Sequence, residues 1–187
     1  MQTQGPAVVL CDPTSATPSF TAPIVGPGGS LLEFSLTVGA GGLFSPPALV
    51  QVTVRNVNDP PDCSTARASQ QMLWPPNHKL VPVAVIGLVD PDDDDISILV
   101  TAVTSDEPVN GTGDSDTPSD AVITQDGALL RAERAGGGNG RVYVIHFTAT
   151  DELGQSCSGT VSIAVPQSRK PSTPAIDDGQ SYDATSN

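Results

Sequence analysis

At 187 residues the chain has room for one large domain or two small ones. Eight basic against 21 acidic residues leave a net charge of −13, a field that repels nucleic acid and anionic membrane surfaces and attracts cations. No run approaches the ~18 apolar residues of a membrane span, and Gly and Pro, 18 of each without a period, exclude collagen and imply frequent turns.

In chain order, residues 7–10 (AVVL) form a first candidate strand and 17–23 (TPSFTAP) a short extended segment. Residues 31–38 (LLEFSLTV) alternate, with Leu32, Phe34, Leu36 and Val38 on one face and Glu33, Ser35 and Thr37 on the other. The turn-rich GAGGLFSPP leads to a strand over 49–54, where Val50, Val52 and Val54 oppose Gln51 and Thr53. The junction RNVNDPPD is stiffened by Pro60 and Pro61, because proline removes amide donors and restricts the residue before it. The chain is divided there.

The pattern restarts with Val81, Val83 and Val85, a β-branched run over 96–103, strands over 129–132 and 141–149, and the alternation of Val161, Ile163 and Val165. Tyr143, Ile145, Phe147 and Ala149 form the more apolar stripe, which points His146 outward. Residues 136–140 (GGGNG) read as a hairpin turn, and Arg131, Glu133 and Arg134 as part of a solvated strand. The tail from about Ser168 lacks a strong pattern and is either disordered or an ordered extension. Short strands at close spacing, without helical periodicity, predict an all-β sandwich architecture.

Residues 3–61, from TQGPAVVL through LLEFSLTV to VQVTVRNVNDPP, resemble the later part of bacterial PKD/REJ-type and cadherin-like surface repeats. Residues 62–187 resemble a module found after such repeats, through LWPPNHKLVPV, VTSDEPVNGTGDSDT, LLRAERAGGGNGRVYVIHFTATDELG and AIDDGQSYDAT. The resemblance implies tandem Ig-like β-sandwich modules: a partial one over 1–59, missing strands before QTQGPAVV, one with acidic loops over 60–167, and a tail over 168–187. It also implies an extracellular or cell-surface location; Met1 enters directly into QTQGPAVVL, so export is argued from the module type and the cysteines and not from a targeting segment.

Of the three cysteines, Cys63 begins the second module and Cys157 lies just before its last strand. In Ig-like sandwiches the first and last strands often run side by side, so a Cys63–Cys157 disulfide is the favoured expectation, with two buried thiols as the alternative. Such a bridge implies an oxidising compartment. Cys11 is left as a small buried residue or an intermolecular bridge.

Eleven of the 21 acidic residues fall between Asp90 and Asp126. Asp90, Asp92 and Asp94 alternate, so one turn can converge them on a hard cation such as Ca²⁺, which takes six to eight oxygen ligands in flexible loops. This is not an EF-hand, since Asp95 stands where its glycine would fall and Thr101 where its closing glutamate would. A second candidate calcium loop, the favoured one of the two, holds Asp106, Glu107, Asn110, Asp114, Asp116 and Asp120, with a solvated acidic loop as the alternative. In the junction, Asn58 and Asp59 resemble the interdomain ligands of cadherin-like repeats, with Asp151 as a further contributor.

No catalytic residue is assigned. There is no G-x-S-x-G elbow, GGGNG precedes no helix that would cradle phosphate, and His78 reads as part of a rigid corner with Trp74 packed on the sandwich edge. The expected function is therefore a non-enzymatic structural or adhesion module pair stabilised by Ca²⁺. Its partners are expected to be surface or matrix proteins or copies of itself. A fibre subunit completed by strand exchange and a polysaccharide-binding accessory module are the alternatives.

Overall fold

A computed structural model describes residues 1–111, 119–170 and 173–186, and among these there is no helix. Chain contacts divide the protein into two compact units, Met1–Asp59 with Asp92–Asp94, and Pro60–Pro91 with Asp95–Asn187.

The first unit holds β1 (Gln2–Gln4), β2 (Ser30–Leu36), β3 (Gly39–Ala40), β4 (Leu43–Phe44) and β5 (Ala48–Val54). β1, β2 and β5 form a three-stranded antiparallel sheet in that order, and β3 pairs with β4. Residues 7–10, expected as a strand, are not one. The Gln2 side chain satisfies that stretch instead, accepting from the Val8 amide at 3.0 Å and donating to the Pro6 carbonyl at 2.6 Å. The alternation of β2 is real, but its apolar face is covered at one end only. Leu32 is fully buried and Phe34 stacks on Phe20 with centroids 5.2 Å apart, whereas Leu36 and Val38 are 53% and 61% exposed. Cys11, expected to be buried, is exposed.

The second unit is sandwich-like. One antiparallel sheet runs β6 (Arg67–Ala68), β7 (Leu80–Ile86), β10 (Gly127–Arg131), β9 (Ala121–Ile123). The other runs β12 (Ser156–Val165), β11 (Arg141–Thr150), β8 (Ser97–Ser105), β13 (Tyr182–Asp183). Both feed one core, with Val83, Val85, Ala128 and Leu130 from the first sheet and Val103, Tyr143, Ile145, Phe147, Ile163 and Val165 from the second. The inward stripe of β11 is the expected one, and His146 on the other face is half-buried, its Nε2 3.2 Å from Thr104 Oγ1.

Cys63 and Cys157 are joined by a disulfide with Cα atoms 6.0 Å apart. Two local expectations are corrected. Residues 136–140 do not close a hairpin, because β10 and β11 lie in different sheets and the loop crosses between them. Glu133 is fully buried rather than solvated, because His78 Nδ1 sits 2.9 Å from its Oε2. The tail is ordered at its end, where it supplies β13 as the edge strand beside β8.

Candidate metal centre

Asp90, Asp92 and Asp94 are all buried, while Asp93 and Asp95 between and after them are exposed. The alternation places three carboxylates on one side of the turn. Asp93 helps by adopting a left-handed φ of 61°, a conformation that Asp tolerates better than most residues. One oxygen from each of the three carboxylates lies within 4.8 Å of the others. At that spacing each pair of full negative charges repels by about 3.5 kcal/mol at an effective dielectric near 20. A divalent cation among them reverses the sign of that interaction, so the donor set fits one. Asp92 Oδ2 also accepts from the Asp59 amide at 2.8 Å.

The other expected ligands are placed differently. Asn58 is half-buried and Asp59 exposed, and it is the backbone of Asp59 that holds Asp92. Asp151 is buried and organises the β11–β12 turn, its Oδ1 accepting from the Leu153 and Gln155 amides, each at 2.9 Å. Asn110 is exposed. Asp114 and Asp116 lie outside the described residues.

Asp106, Glu107 and Asp120 do not converge on one point as three ligands. They are drawn into a polar cluster around Arg141, which is fully buried at the start of β11. Arg141 Nη1 donates to Asp120 Oδ2 and, at 3.0 Å, to the Tyr143 hydroxyl. Its Nε donates to Glu107 Oε2 at 3.2 Å and its Nη2 to the Pro108 carbonyl at 2.9 Å. Glu107 Oε2 also accepts from the Ala135 amide at 2.7 Å, and Asp106 Oδ1 from the Val142 amide at 2.8 Å. Arg131 Nε stands 3.9 Å from Asp120 Oδ1.

Burial pushes the Asp120 carboxyl up to about 6, opposed by Arg141 and reinforced by the nearby Glu133 carboxylate. Burial also raises Asp106, against the pull of its amide donors. For Arg141, burial alone would lower the pKa, but Tyr143, Asp120 and Glu107 outweigh it and hold the guanidinium charged. Sequence reasoning missed this cluster. Its one signal was a lone Arg opening the most apolar strand of the chain, a position that charge seldom takes unless paired.

A groove of about 210 Å³ lies beside the His78 corner, lined by Trp74, Met72, Leu80, Gln70, Asn77 and Lys79. Trp74, expected to pack on the sandwich edge, is 36% exposed. Leu73 beside it is buried, and its amide is bonded to the Ala164 carbonyl at 2.9 Å.

Fold and site together define an all-β, sandwich-like protein with a disulfide in its second unit and a three-carboxylate turn suited to a divalent cation. No protein-family model matches the chain, and no curated protein matches it.

Proposed function

We propose that this chain is a non-enzymatic extracellular structural or adhesion module pair, Ig-like in its second unit, whose acidic turn is held by Ca²⁺. The observation that carries the reading is the convergence of Asp90, Asp92 and Asp94 within 4.8 Å. Calcium–oxygen distances of about 2.3–2.6 Å let two ligands of one ion stand up to about 5 Å apart, whereas the shorter bonds of Mg²⁺ require closer packing. Remaining coordination sites would go to water and backbone carbonyls, as is usual for such ions. The disulfide supports an oxidising compartment, because cytosolic thiols are kept reduced.

The test is thermal unfolding in Ca²⁺, in Mg²⁺ and in chelator. A single bound ion stabilises by about 2.7 kcal/mol at a hundred times its dissociation constant. The Asp92→Asn, Asp94→Asn double variant should lose the calcium-dependent shift while keeping its β-sheet spectrum. A chain that melts at one temperature in all three buffers refutes the reading.

The groove at Trp74 favours a second reading, contact with a polysaccharide. A part-exposed indole flanked by amide side chains offers a stacking face with hydrogen-bonding groups at its rim. Retention on insoluble polysaccharide that is lost in Trp74→Ala would support it. Equal elution of both proteins would remove it.

A further inference from the structure

The tail is seated in a slot between the two sheets of the second unit. Tyr182 and Asp183 pair antiparallel with Ser105 and Thr104 of β8. The next residue, Ala184, is fully buried within the core. Its amide donates to the Val103 carbonyl at 3.0 Å on β8, and its carbonyl accepts from the Ala121 amide at 2.8 Å on β9. One residue therefore bridges β8 of one sheet and β9, the edge strand of the other. Two flanking contacts fix the register. Gln180 accepts from Thr104 Oγ1 at 2.8 Å and donates to the Val142 carbonyl at 3.2 Å. Asp183 Oδ1 accepts from the Thr185 amide at 2.9 Å, which turns the chain away after the slot.

The connector that delivers this segment is longer than it needs to be. Val165 pairs with Arg141, Tyr143 with Ser105, and Ser105 with Tyr182. Both ends of the connector thus lie at the same end of one sheet, three strand spacings apart, or about 14 Å. Residues 166–181 can extend to roughly 50 Å. That reach extends well beyond the chain's own slot.

We propose that the β8–β9 slot is a strand-acceptor site whose occupant can be residues 182–186 of a second copy of this chain, so that copies are joined by exchange of their tails. Every contact named above is remade when the tail comes from a neighbour, so the closed and exchanged forms differ in the entropy of the connector and in the contacts it makes on the way, such as the bond from Asn139 to Asp178 Oδ2. A connection of this length within one chain holds its ligand at an effective concentration on the order of millimolar. The closed monomer therefore prevails in dilute solution, and exchange takes over where copies are crowded or the connector is too short to close. The candidate cation site at Asp90, Asp92 and Asp94 plays no part in this.

Two experiments on the full chain test it. In the first, Ala184→Arg ejects the chain's own tail, because Ala184 is fully buried and an arginine side chain overfills its place. A fluorescent peptide of residues 174–186 should then bind saturably and raise the melting temperature of the variant. The same peptide carrying Ala184→Arg should bind roughly a hundredfold more weakly. A folded Ala184→Arg chain that ignores the native peptide up to millimolar concentration overturns the proposal.

The second experiment stands even if that variant does not fold. Deleting residues 167–179 keeps Gln180 and leaves three residues between Val165 and Tyr182, about 14 Å at full stretch with no slack for the turns at either end. Light scattering should find dimers or larger assemblies at micromolar concentration, with an unchanged circular dichroism spectrum. A folded monomer overturns the proposal.

Discussion

Replacing Arg141 with leucine tests the buried polar cluster, and pH separates its electrostatic part from lost packing. The substitution removes the donors to Asp120, Glu107, Tyr143 and the Pro108 carbonyl in one step. Breaking a buried pair by removing one partner costs about 3–5 kcal/mol where the remaining charge is left without compensation, and here Arg131, 3.9 Å from Asp120 Oδ1, places the expected loss at the lower end. Asp120 bears most of that loss, being fully buried.

In the native protein its pKa of about 6 already lies above the unfolded value near 3.8. A carboxyl raised in this way binds a proton more readily when folded. Its contribution to stability is greatest below pH 4 and is lost as pH rises through 6, by about 3 kcal/mol in all. Arg141 pulls this pKa down, so the variant should titrate higher still. The deficit of Arg141→Leu relative to the native chain should be small near pH 4, where Asp120 is protonated in both folded proteins, and should grow between pH 5 and 8. Denaturant titrations at four or five pH values measure it directly. A deficit that is the same at pH 4 and pH 8 would refute the electrostatic argument and assign the whole effect to packing.

Two further perturbations follow from the same structure. The Cys63→Ala, Cys157→Ala variant opens a loop closed over 94 residues, which the chain-entropy relation values at about 4.7 kcal/mol. Its denaturation midpoint should match that of the native chain in reductant, and a midpoint unaffected by either treatment would contradict this. At Gly127 a Cβ would overlap the Val83 carbonyl oxygen on the paired strand. Gly127→Ala should therefore lose about 2–4 kcal/mol by prising β7 from β10, and unchanged melting would show that the strands shift to accept it.

Much of the second unit could be read directly from its residues. The period-two stripes of 81–85, 141–149 and 161–165 became β7, β11 and β12 because each has one face on a shared core. The alternation of Asp90, Asp92 and Asp94 likewise survived into a common side of one turn. Alternation failed where burial was not supplied. Leu36 and Val38 continue the pattern of β2 but are more than half exposed. Glu107 and Asp120 looked like calcium ligands because their partner lies more than twenty residues downstream of Asp120, and Asp106 because the amide of Val142 holds it from as far away. Pairing of an acid with Arg141 is a tertiary fact, and spacing along the chain carries no trace of it. The seat of Ala184 was equally hidden, since a single small residue filling a gap between two sheets has no local signature.

The position of the disulfide also sets how the second unit would respond to being pulled by its ends. Tension entering at residue 62 crosses from Cys63 to Cys157 through the sulfur atoms and leaves along the remainder of β12. Strands β6 to β11 lie inside that covalent shortcut and carry none of it. Some 30 nm of contour length stays locked while the bond is intact. Stretching can strip the tail and the end of β12 from the sheet, yet the interior of the unit is released only by a reductant.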